Sequence, residues 1–183
     1  MMHRACDVAN FFIQLAVQGD GDLQTNLKVN KLLYYAQGHS LARFGKPLFS
    51  ENIEAWRYGP VIPSIYDKYK VCGRDGIEVV DDSFNVDVFS DEELSLLLDV
   101  AREYGQYTGE RLRDMTHREA PWRNVYDPGM NAVITQKSMQ EFFASAPLRS
   151  FAQSLKETMK IDVKLGNFPK YYYCPEEDAI WGE

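Results

Sequence analysis

Residues 26–70, NLKVNKLLYYAQGHSLARFGKPLFSENIEAWRYGPVIPSIYDKYK, carry the pattern that most limits what this chain folds into. Val29, Leu32, Leu33 and Ala36 recur at i, i+3, i+4 and i+7, the spacing of one buried helical stripe. Gly45-Lys46-Pro47 stops that helix near Phe44. Ile53 to Arg57 reads as extended, and Gly59-Pro60 forces a change of direction into a second helix with Ile62, Ile65, Tyr66 and Tyr69 on its apolar face. Proline has no N–H to donate, so Pro60 and Pro63 suit a first helical turn and no deeper.

The same window is crowded with rings: Tyr34, Tyr35, Trp56, Tyr58, Tyr66 and Tyr69. Aromatic side chains bury large areas but keep polar tips, which suits a core and an interaction surface alike. Two-residue alternation along the extended segment turns Arg57 and Tyr58 outward and Trp56 the other way. Tyr, Trp and Arg dominate protein–protein hot spots. The plainer reading of Gly59 and Pro60 is punctuation before a helix.

Three segments in order, Lys31-Leu32-Leu33-Tyr34-Tyr35-Ala36-Gln37-Gly38, Gly45-Lys46-Pro47-Leu48-Phe49 and Glu54-Ala55-Trp56-Arg57-Tyr58-Gly59-Pro60-Val61-Ile62-Pro63, resemble the Panacea domain, also called SocA-like or GepA-like. The resemblance covers about residues 8–126. It also takes in Thr116-His117 and Pro121-Trp122, which are similar to a Thr-His…Pro-Trp segment of that family. It implies neutralisation of a protein toxin encoded beside the chain and, in one branch of the family, delivery of that toxin to a protease. Lys31, Gly59, Pro60, Thr116, His117 and Trp122 are the positions it marks as framework.

Elsewhere the chain is mostly helical in pattern. Val8, Phe11, Phe12 and Leu15 line one side of residues 5–17, and Gly19 to Asp22 close that helix with a turn. Thr25 or Asn26 caps the next helix. Gly38 inside it costs about 1 kcal/mol against alanine, which suits a close helix–helix approach. Ser90-Asp91-Glu92-Glu93 is a capping box, followed by Leu94, Leu97, Leu98, Ala101 and Tyr104 at helical spacing. Further helices start at Thr108, Ala120 and Thr135, and another carries Leu148, Phe151, Leu155 and Met159. Ile77 to Val80 and Asn85 to Val88 read as the arms of a short hairpin. The expected fold is mainly α, a compact single-domain helical fold over residues 1–160 with at most a small β-hairpin. Residues 161–183 form an aromatic and acidic tail.

Charge limits the partners. With 27 acidic and 20 basic residues the net charge is −7, so sequence-blind nucleic-acid binding is disfavoured and a basic partner is attracted. Cys6, Cys72 and Cys174 are widely spaced and odd in number, which suits a reducing cytoplasm better than a disulfide framework. His3 and Cys6 have the spacing of two metal ligands but lack a second pair. No apolar run is long enough for a membrane span. No phosphate loop, nucleophile elbow or zinc-protease motif occurs, so no cofactor, metal or catalytic residue is expected.

Two histidines remain. His117, close to Glu119, has the ingredients of a general base, but no nucleophile motif accompanies it, and tying down a helix end is the simpler role. His39 lies four residues after Tyr35, so the two are neighbours on one helix face. They serve a binding groove or the half-buried packing of that helix. Lys31, on the same helix, is placed to pair with a carboxylate such as Glu54.

The sequence therefore reads as a binding protein, an antitoxin engaging a cognate protein toxin, with oligomeric state open. Its candidate contacts are Tyr35, His39, Trp56, Arg57, Tyr58 and Tyr172. The alternatives are an adaptor delivering the toxin to an ATP-dependent protease, a hydrolase using His117, and a DNA-binding regulator, which the charge disfavours.

Overall fold

A computed structural model describes residues 2–19, 22–78, 84–151 and 153–157. The chain divides into two units, Met1–Leu148 and Arg149–Glu183. Its helices are α1 (Ala5–Gln18), α2 (Asn26–Phe44), α3 (Pro63–Tyr69), α4 (Asp91–Tyr104), α5 (Gly109–Thr116), α6 (Ala120–Arg123) and α7 (Gln136–Ser145). Three short strands, β1 (Ile53–Trp56), β2 (Gly59–Val61) and β3 (Val133–Ile134), form an antiparallel sheet in the order β2-β1-β3. The fold is mainly α with one small β element.

Helix α2 is the axis, touching α1, α3, α4, α5, α7 and β2. The sequence marks one apolar stripe on it, but nearly every residue from Asn26 to Leu41 is buried. A helix enclosed on all sides must satisfy its polar side chains internally. Here they hold the neighbouring chain in place. Asn30 Oδ1 accepts from the Ile62 N–H at 2.9 Å, and Asn26 Nδ2 donates to the Tyr66 carbonyl at 3.1 Å. Gln37 Oε1 accepts from the Leu48 and Phe49 N–H groups while its Nε2 donates to the Phe49 carbonyl. Arg43 reaches the buried carboxylate of Asp99 on α4 at 3.0 Å. Sequence-distant loops are thus laced to one helix.

Local signals fix the ends. Thr25, Ser90, Thr108 and Thr135 each accept a hydrogen bond from a backbone N–H in the first turn of α2, α4, α5 and α7. Such caps are worth about 1 kcal/mol each. Gly45 closes α2 at φ 69°. Gly38 has no room for a side chain, since a Cβ there would run into the Phe143 ring of α7.

The expected hairpin at 77–80 and 85–88 is not the β element found. Val86–Val88 is one helical turn. Asn85 Oδ1 accepts from the Asp87 N–H at 3.0 Å, a side-chain-to-backbone bond that competes with strand pairing. Residues 79–83 lie outside the described residues. The sheet forms instead at the Gly-Pro corner, where Glu54 pairs with Val61 and Trp56 with Gly59, and β3 adds its Ile134 opposite Ile53. In the second unit Arg149 pairs with Glu157 at 3.3 Å. No helix among the described residues is long and apolar enough to cross a membrane.

Candidate functional site

The Gly59-Pro60 corner is where the marked residues meet. Strands β1 and β2 turn back on each other there, and Gly59 holds φ at 96°, a conformation strained for any side chain. A Cβ on Gly59 would lie 2.7 Å from Lys31 Cε and 2.8 Å from Thr116 Oγ1. The corner is therefore wedged between α2 and the end of α5. Thr116 Oγ1 donates to the Arg113 carbonyl at 2.8 Å and so finishes that helix turn.

Lys31 is 0% exposed, and its Nζ donates to the Pro60 carbonyl at 2.9 Å. The expected pairing with Glu54 is not made. Glu54 instead accepts from the indole N–H of Trp56 at 2.8 Å. Burial, with the nearby Arg113 charge adding to it, pulls the Lys31 amine down to about 7. Charge is hard to keep on a group so completely desolvated.

A second clamp comes from α6. Trp122 donates its indole N–H to the Trp56 carbonyl at 3.0 Å. Its ring stacks on His117 at 4.0 Å and on Tyr126 at 4.4 Å. The six framework positions, Lys31, Gly59, Pro60, Thr116, His117 and Trp122, are thus one contiguous cluster.

His117 and Glu119 turn to different partners. Among the described residues His117 Nε2 is buried without a hydrogen bond, and desolvation, then Lys31 and Arg113, hold its pKa below the usual imidazole value. Glu119 accepts from the Tyr35 hydroxyl at 3.0 Å. Burial raises the Glu119 carboxyl, offset in part by Tyr34 and Tyr35. Among the described residues the Tyr34 hydroxyl and Glu119 Oε2 are both buried without a well-formed hydrogen bond, yet they lie within electrostatic reach of each other.

Tyr35 and His39 are buried, 1% and 3% exposed. Tyr35 stacks on Tyr104 at 3.7 Å, and His39 meets the Tyr104 hydroxyl at 2.9 Å while Phe143 lies edge-on to both. They are core packing between α2, α4 and α7. Their polar tips find partners inside, which is why their types fit a surface equally well in the sequence. Tyr172 lies outside the described residues.

What the corner presents outward is Arg57 and Tyr58. Tyr58 is 56% exposed, with the Arg57 guanidinium 5.6 Å from its ring centre. Trp56 is half-buried and packs on Tyr66, itself partly exposed, at 5.0 Å between centroids. Val133 of β3, opposite Glu54, is an exposed apolar side chain too, and so is Met130 in the turn before that strand. The sequence missed these two, because β3 is too short to show a period.

Residues 29–123 match the family described as Antitoxin SocA-like, Panacea domain. The chain belongs to this family. Its matched span opens at Val29 on α2 and closes at Arg123 on α6, so it contains the whole cluster around the corner. The chain is also similar to Antitoxin SocA of Caulobacter vibrioides (strain NA1000 / CB15N), 39% identical over 66 residues. That stretch is 36% of this chain and 35% of the relative, about a third of each. No solved structure matches. In this Panacea domain, then, the framework residues build a rigid corner whose tip is aromatic and cationic.

Proposed function

We propose that this chain is an antitoxin that binds and neutralises a cognate protein toxin by covering its working surface. The observation that carries the reading is the Arg57–Tyr58 tip, exposed on a corner that Lys31, Thr116 and Trp122 fix from beneath. A pre-set aromatic and arginine anchor loses little freedom on binding, which favours affinity. Trp56 and Tyr66 extend the contact as an apolar flank. The net charge of −7 draws a basic toxin in and rejects acidic competitors. The protein would act in the cytoplasm, where its widely spaced thiols stay reduced.

The test is co-expression with the toxic product of an adjacent gene. Growth is expected to be rescued by the native chain, and rescue is expected to fail with Arg57→Ala and Tyr58→Ala combined, at equal protein level. Pulse-chase of the toxin distinguishes two mechanisms. A stable, inert toxin accords with covering, whereas faster disappearance points to delivery to an ATP-dependent protease. Full rescue by the double variant would remove the tip from the interface.

A further inference from the structure

The buried lysine beneath the corner has a property that the partner-binding reading leaves unused. Lys31 Nζ has one hydrogen-bond acceptor among the described residues, the Pro60 carbonyl. A neutral amine leaves one N–H over in that arrangement and carries no charge, whereas an ammonium leaves two N–H donors over and needs counter-charge. The charged groups around it do not supply any. From the α5 side it meets Arg113, whose own partner is the outward carboxylate of Asp114 at 2.7 Å, and His117 just beyond. Glu119 at the start of α6 is held by Tyr35. Glu54 on β1 is engaged by Trp56. On the other elements around α2, Asp7 pairs with Arg4, Asp67 with Lys70, Asp99 with Arg43 and Glu141 with Lys137.

The geometry also sets the amine directly against the corner. Gly59 sits directly against the side chain, its missing Cβ position 2.7 Å from Lys31 Cε and 3.1 Å from Nζ. A shift of Nζ in that direction displaces Gly59-Pro60. That displacement passes straight to Tyr58 and Arg57, the next residues along the chain.

We propose that Lys31 is a pH-sensitive latch: its neutral amine seats the Gly59-Pro60 corner, and protonation loosens that corner and the Arg57–Tyr58 tip with it. Grip on the toxin would then weaken on acidification. The biological use of the latch rests on the partner-binding reading, but its physical part does not. Desolvation brings the amine from 10.5 to about 7, so the change falls within the range a cell traverses.

The experiment is an NMR titration of the free protein from about pH 5 to about pH 9, following the Lys31 Cε resonance and the Tyr58 and Gly59 amides. Lys31 is expected to titrate near 7, well below the exposed lysines, and the two amides are expected to shift with the same midpoint. In Lys31→Met that amide step should vanish. Any residual step from His117 is identified by its loss in His117→Gln. A Lys31 midpoint above about 9 overturns the latch, as do corner amides that stay still while Lys31 titrates. Both readouts come from the native chain, so they decide the matter even if Lys31→Met does not fold. No toxin is involved, so failure here leaves the antitoxin reading standing, and failed rescue in the co-expression assay leaves the latch standing.

Discussion

The indole N–H of Trp122 donates to the backbone carbonyl of Trp56 at 3.0 Å, joining α6 to the strand that leads into the corner. Two residues far apart in sequence thereby set the position of the exposed tip. Trp122 is almost fully buried and stacked between His117 and Tyr126, so its ring and its N–H contribute separately. Trp122→Phe keeps most of the ring but removes this hydrogen bond, and is expected to cost about 0.5–1.5 kcal/mol. Trp122→Ala also opens a cavity and is expected to cost about 3–5 kcal/mol. Urea denaturation of both variants measures the difference.

Gly59 and Gly45 separate backbone strain from crowding. Both have positive φ, 96° and 69°. Among the described residues nothing lies within 4 Å of a Cβ at Gly45, whereas at Gly59 it would meet Lys31 and Thr116. Gly45→Ala is therefore expected to cost only the conformational strain, about 1 kcal/mol. Gly59→Ala adds the displacement of Lys31 and is expected to cost about 3 kcal/mol or more. Equal losses in thermal or urea melts would show that the corner yields easily.

At the tip the expectation is reversed. Tyr58 is exposed, and the Arg57 guanidinium lies over its ring. Tyr58→Ala is expected to leave stability within about 0.5 kcal/mol while weakening toxin binding by about 2 kcal/mol, roughly 30-fold. Paired unfolding and calorimetric binding measurements check both halves. A large stability loss would mean that the ring is structural after all.

Gly38 and Phe143 make a coupled pair across α2 and α7. A methyl on Gly38 drives into the Phe143 ring, and overpacking of this kind typically costs about 1–3 kcal/mol. Trimming the ring relieves it, so Phe143→Leu should cost less in the Gly38→Ala background than in the native chain. A double-mutant cycle is expected to give a coupling of about 1 kcal/mol or more.

Much of this framework is visible in the residues themselves. The caps at Thr25, Ser90, Thr108 and Thr135 work through local hydrogen bonds, and local chemistry is what a single sequence carries best. Gly38 announces a close approach because nothing else explains its cost in a helix. The burial of Tyr35 and His39 is not visible, since it depends on Tyr104 and Phe143 arriving from α4 and α7. The same holds for Lys31, where a charged type hides a fully enclosed position. Strand β3 pairs with β1 from far along the chain, and two residues are too few to show alternation. Val86–Val88 misleads because β-branched residues suggest a strand while Asn85 bends the backbone locally.

His39 gives the fold its expected acid sensitivity. Burial, with Arg43 acting in the same direction and Asp99 opposing, lowers its pKa from 6.5 to about 4. Above pH 6.5 the ring is neutral in the folded and unfolded chains alike, and its contribution to stability is fully present. As pH falls from 6.5 towards 4, the unfolded chain takes up a proton that the folded chain refuses. Stability therefore drops through that window and levels off below it, at a slope approaching 1.4 kcal/mol per pH unit and a total of about 3 kcal/mol from this one group. His39→Gln cannot titrate but retains a donor and an acceptor for the Tyr104 hydroxyl. It is expected to be less stable than the native protein near neutrality and to show a shallower decline between about pH 6.5 and pH 4. Urea melts across that range compare the two slopes, and parallel curves would assign the acid sensitivity to another group.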